Sequence, residues 1–86
     1  MSERAKRIEA VLMQVFSPSE LRVEDESWKH AEHAAAKASG GGHFIVYITA
    51  PAFAGQSRVA CHRLINQALR EEFVSNIHAL SIHAKA

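Results

Sequence analysis

Between His43 and Ala84 the apolar residues change period twice, and no other stretch limits the possible folds so strongly. From His43 to Thr49 the chain is β-branched and aromatic, with Phe44, Val46 and Ile48 facing one way and Ile45 and Tyr47 the other, as in a central strand. Pro51 and Gly55 then break the chain. Ser57 can cap a helix running to about Glu72, with Ala60, Cys61, Leu64, Ile65, Ala68 and Leu69 on one side and Arg63, Asn66, Gln67 and Arg70 on the other. After a turn at Ser75-Asn76, Ile77 to Ala84 alternates again, and this pattern predicts that His78, Leu80 and Ile82 share a strand face. A strand, a helix and a strand in that order favour a parallel pair joined by a right-handed crossover.

The preceding residues extend this unit. Ile8, Val11, Leu12, Val15 and Phe16 fall on one face of a helix that begins near Ser2, a possible N-cap, and ends at Pro18. Glu20 to Glu26 alternates as a half-buried strand, with Leu21 and Val23 on one side. Residues 27–42 lose any period and read as a flexible loop, through which the first two strands can pair antiparallel. The expected architecture is α+β in the order αββαβ, a three-stranded mixed sheet with its helices on one face. With 86 residues there is room for one core, so 1–86 is read as a single domain.

Composition removes several functions. A net charge of +1 gives no global signature of a polyanion binder, although Arg58, Arg63 and Arg70 can form a local basic patch. The single cysteine, Cys61, precludes an internal disulfide framework and cannot alone hold zinc or an iron–sulfur cluster; its place on the inward side of the helix predicts a small buried hydrophobe. No stretch approaches the roughly 20 apolar residues needed to span a bilayer. The first residues lack the apolar run of a secretory signal. A cytoplasmic or otherwise reducing compartment is expected, an organelle being the alternative. There is no Gly-x-Ser-x-Gly elbow, phosphate loop or His-Glu-x-x-His motif, so no catalysis is expected.

Six histidines stand at 30, 33, 43, 62, 78 and 83, and neutral imidazole is the commonest protein metal ligand. Spacing alone does not make a ligand of any of them: a lone histidine at a strand start, like His78, is more often a half-buried structural residue. Phe53 reads as a core plug, Gly55 as a tight turn, and Trp28 as either a lid on the core or a partner anchor.

Phe53-Ala-Gly-Gln-Ser57, then Cys61-His62-Arg63-Leu64, then Ile77-His78-Ala79-Leu80-Ser81-Ile82 resemble the signature of the BolA-like family. The likeness extends to Asp25-Glu-Ser-Trp-Lys-His30 and to Gly42-His-Phe44. Three motifs in the right order are far more specific than any one of them. Cys61 departs from the pattern, because the family commonly has arginine there, and the basic patch on the helix is the weaker for it.

The resemblance implies a fold similar to a type II KH domain and a non-catalytic role. It implies that His78 ligates an iron–sulfur cluster, with a second ligand from the loop: His30 fits the histidine subgroup, and His33 competes with it. Two histidines fill half a site, so the resemblance implies a [2Fe–2S] cluster shared with a monothiol glutaredoxin of the CGFS type and with glutathione, and none in the isolated apo protein. Zinc or haem is the other metal reading of the same histidines. The rival function is a transcriptional regulator binding DNA, with His62, Arg63, Arg58 and Arg70 as the partner or nucleic-acid surface. Against it, the chain lacks the Gly-x-x-Gly clamp of KH domains.

Overall fold

The computed structural model describes residues 2–27 and 42–86. Helix α1 (Glu3–Phe16) leads to strand β1 (Glu20–Asp25). Strand β2 (Gly42–Thr49) follows, then a 3₁₀ turn (Pro51–Phe53), helix α2 (Arg58–Ala68), short helix α3 (Glu72–Ser75) and strand β3 (Ile77–Lys85). The sheet order is β1-β2-β3, with β1 antiparallel and β3 parallel to the central β2. This is the expected α+β arrangement. Two differences are local: α2 stops at Ala68 instead of reaching Glu72, and the residues before Asn76 form a separate helical turn.

Each main helix starts as its sequence dictates. Ser2 Oγ accepts from the Ala5 N–H at 3.1 Å and Ser57 Oγ from the Ala60 N–H at 3.1 Å, so both helices carry a serine N-cap. α1 ends on Ser17, which turns left-handed (φ 45°) just before Pro18. Gly55 likewise takes φ 72°, where a Cβ would be strained, and so makes the tight turn expected before α2.

The core lies between one face of the sheet and the two helices. α1 covers β1 and packs against α2, which in turn covers β3. Ala5, Ile8 and Leu12 meet Val23, Phe44, Val46, Ile48, Cys61 and Ile65, all buried. Phe53 closes one end, its ring centroid 5.1 Å from that of Phe16. Two residues expected in this core lie outside it: Val15 is 56% exposed and Leu64 40%. The covered stripe of α1 runs through Ala5, Ile8 and Leu12 and that of α2 through Cys61 and Ile65, narrower in both cases than the apolar face of the helix.

Neither α1 nor α2 lies on the other face of the sheet. Arg22, Tyr47 and His83 pair in register across all three strands there. The Arg22 guanidinium carbon lies 4.3 Å from the Tyr47 ring centroid, and His83 stacks on Tyr47 at 4.8 Å with the rings only 10° apart.

Candidate functional site

The strand directions bring the end of β1 and the starts of β2 and β3 to one end of the sheet, where the segment between β1 and β2 also departs and returns. His78 sits at this end, but not on the face its alternation implied. Ile77 pairs with Gly42 and Ala79 with His43, so the register slips by one residue and His78 is the extra one. A bulge of this kind reverses the alternation. Ile77 is buried, His78 is exposed, and Leu80 and Ile82 return to the core side. The imidazole is thus presented outward.

The bulge brings together a pair that reading each strand alone did not anticipate. The rings of His43 and His78 lie 5.1 Å apart, centroid to centroid, tilted by 43°. His43 is the second residue of β2 and His78 the second of β3, so the parallel pairing of the two strands is what brings the rings together. His30 and His33, the loop histidines expected as the second ligand, lie outside the described residues, as does Trp28. They belong to the segment whose two ends frame this histidine pair.

The root of that segment is tied down by a polar network. Asp25 Oδ1 accepts from the Ser27 N–H at 2.9 Å, and Ser27 Oγ accepts from the His43 N–H at 3.2 Å. Partial burial raises the Asp25 pKa, but hydrogen bonds from the Ser2 and Ser27 hydroxyls, the Ser27 N–H, and the charge of Arg4 outweigh it and hold the carboxyl below its ordinary value. Gly42 is buried between Ser27 and Phe44, and a Cβ there would collide with Ser27 Oγ and lie 2.9 Å from the Phe44 ring. Glycine at 42 is therefore a packing requirement that fixes how His43 enters the sheet.

Among the described residues no three of His, Cys, Asp and Glu gather closely enough to hold a metal by themselves. Cys61 is buried at 4% exposure, as its position on α2 implied. The residues read as a basic surface do not form one patch. Arg58, Arg63 and Arg70 are exposed and His62 is partly buried. Arg58 and His62 lie on one side of α2, facing a cleft, whereas Arg63 points roughly 100–140° away around the helix. Arg70, just beyond the end of α2, folds back on that helix, its Nη1 donating to the Gln67 carbonyl at 2.9 Å. No described helix is long and apolar enough to cross a membrane.

Comparison with known proteins accords with this arrangement. Residues 12–86 match the family described as BolA-like protein. The SufE-like protein 1, chloroplastic/mitochondrial, of Arabidopsis thaliana is 45% identical over 99% of this chain, which spans 24% of that relative's length. The solved BolA domain of SufE1 from the same plant superposes with a TM-score of 0.85 at 42% identity, covering 99% of this chain and 93% of that one. A relative from Vibrio cholerae, named DNA-binding transcriptional regulator BolA, is 41% identical over 88% of this chain and 68% of its own length. On its sequence, its strand order and these likenesses, the chain belongs to the BolA-like family.

Proposed function

We propose that the protein is a non-catalytic partner of a CGFS-type monothiol glutaredoxin and co-ligates a bridging [2Fe–2S] cluster, in iron–sulfur or iron homeostasis or redox-stress regulation. One observation carries the reading: His78 stands on a bulge, exposed and against His43, at the root of the segment that bears His30 and His33.

The donors suit the group. Neutral imidazoles ligate iron in two-iron clusters, and each iron takes two ligands beyond the bridging sulfides. His78 and one further histidine, His30, His33 or His43, would serve one iron, while the glutaredoxin cysteine and glutathione would serve the other. When bound, the cluster supplies one-electron redox chemistry, with a potential raised by histidine ligation. The chain's own contribution is orientation. The bulge turns His78 outward, and the Ser27 bond to the His43 N–H together with the closely packed Gly42 holds the neighbouring ring against it.

The test is reconstitution with a monothiol glutaredoxin, iron, sulfide and glutathione, read by visible absorption and circular dichroism. His78→Ala is expected to abolish or strongly alter the cluster spectrum. His30→Ala, His33→Ala and His43→Ala identify the second ligand by the same loss. Wild-type spectra and cluster lifetimes in both His78→Ala and His30→Ala would sink the ligand assignment.

A second reading rests on the Vibrio cholerae relative named as a DNA-binding regulator. Here Arg58, Arg63 and Arg70 would contact phosphates. Its sign is a duplex-DNA affinity that falls steeply with salt and loses slope in Arg63→Gln.

A further inference from the structure

The longest strand of the sheet is also one of its edges. β3 has nine residues, against eight in β2 and six in β1, and among the described residues no strand pairs beyond it. Sheet edges are ordinarily blunted by short length, proline, inward charge or bulges. β3 contains no proline, and its register shift lies at its start, at His78, which leaves Ala79 to Lys85 regular.

The backbone groups that face outward follow from the ladder. The Lys85 carbonyl accepts from the Ala50 N–H at 2.9 Å, so Lys85 and, by alternation, His83 and Ser81 turn their backbone groups toward β2. Leu80, Ile82 and Ala84 turn theirs to the free edge, in a row about 13 Å long at the rise of a strand. Each offers both an N–H and a C=O. An extended polypeptide matches both kinds of group, whereas nucleic-acid phosphates only accept.

The side chains along this row differ by face. On the helix-covered side Leu80, Ile82 and Ala84 are half-buried, and Ile82 and Ala84 line, with Phe53 and Cys61, the cleft that Arg58 and His62 face. On the other side Ser81, His83 and Lys85 are exposed. Neither β3 nor α2 contains an aspartate or glutamate, although the chain has nine. A second copy pairing its β3 with this one would set two carboxylate-free, cationic surfaces together, whereas an acidic strand complements them.

We propose that the edge of β3 takes up, as a fourth strand, an extended segment of a partner protein in which apolar residues alternate with acidic ones. The apolar side chains enter the cleft beside α2 and the carboxylates lie along His83 and Lys85. Alternate side chains of a strand point to opposite faces, so one segment meets both surfaces. The segment follows the second half of β3, and the proposal does not rest on the cluster reading.

The experiment is amide hydrogen exchange, read by NMR on the full chain, with acetyl-(Glu-Val)4-amide, with its Lys-Val counterpart and with a short DNA duplex. The Glu-Val peptide is expected to slow exchange at Leu80, Ile82 and Ala84 and to leave Ser81 and His83, already bonded to β2, unchanged. The Lys-Val peptide on wild type, and the Glu-Val peptide on Lys85→Glu, should bind at least about tenfold more weakly. Ala84→Pro removes an outward N–H that no ladder bond uses, so it should keep the melting temperature and lose the peptide. Only one alternate set of peptide N–H groups can face β3, so N-methylation of the valines or of the glutamates should abolish binding in one case only. The proposal is overturned by absence of protection up to about 5 mM peptide, beyond the weak end of specific recognition. Equal binding of the Lys-Val peptide, or an equal effect of the two methylations, overturns it as well. So does protection of the same amides by duplex DNA, or protection without peptide that grows with protein concentration, which would assign the edge to nucleic acid or to a second copy.

Discussion

Replacing Gly42 with alanine tests the packing that underlies the candidate site, because the cost can be worked out atom by atom. The backbone of Gly42 is ordinary extended strand, so the penalty is steric, not conformational. The new methyl group meets two neighbours. The Phe44 ring is 2% exposed and closed in by the core, so it yields only by overpacking, typically ~1–3 kcal/mol. Ser27 Oγ can yield by rotating its side chain, but rotation breaks its bond to the His43 N–H, a further ~1 kcal/mol. The sum is about 2–4 kcal/mol, and for a domain of this size it should lower the melting temperature by roughly 10–25 °C. Thermal and urea denaturation followed by far-ultraviolet circular dichroism measure it directly. Ser27→Ala alone forfeits the hydrogen bond but also removes the nearer obstacle, so the double variant should be less destabilised than the sum of the singles by about 1 kcal/mol. A Gly42→Ala melting temperature within about 2 °C of wild type, or a strictly additive cycle, would show that Gly42 is not clamped between Ser27 and Phe44.

Asp25 makes stability depend on acid. Its folded-state pKa lies below the unfolded value, so its contribution is fully present above the ordinary carboxylate range and disappears as pH falls through the folded pKa. The stability difference between wild type and Asp25→Asn, from urea melts at successive pH values, should therefore be constant down to about pH 5 and shrink toward pH 2. Parallel profiles over that range would remove Asp25 from the network. Ile65 is fully buried on α2, so Ile65→Ala should cost about 2–5 kcal/mol, a large part of the stability of so small a domain. A loss under 1 kcal/mol in denaturant titration would mean the core collapses around the gap.

Most of the fold is legible because hydrophobic period is a local property. The order αββαβ, both serine caps, the buried Cys61 and the crossover from β2 to β3 all follow from residues within one or two turns of each other. What escapes the sequence depends on how elements meet. Alternation carried back from Leu80 and Ile82 puts His78 inside, but a single-residue bulge between Ile77 and Ala79 puts it outside, and nothing in Ile77-His78-Ala79 marks that slip. Val15 and Leu64 fit their apolar faces, yet exposure depends on how wide a stripe the neighbouring elements cover. The approach of His43 to His78 is invisible for the same reason: it exists only once two strands are paired in a particular register.

That register also separates the two ends of the molecule. β2 spans eight residues between the histidine pair at its start and the cleft at its finish, about 25 Å at the rise of an extended strand. The histidine end is presented to whatever approaches the segment between β1 and β2, while the cleft opens beside the start of α2. A partner seated on His78 therefore leaves Arg58 and Lys85 uncovered unless it wraps the whole length of the sheet. Any influence of one end on the other must pass along β2 and β3, whose side chains on the core side are packed between α1 and α2 and have little room to shift. The rigid middle makes the histidine pair and the far end of the sheet separate structures built on one sheet, so a substitution at one end should leave the other unchanged.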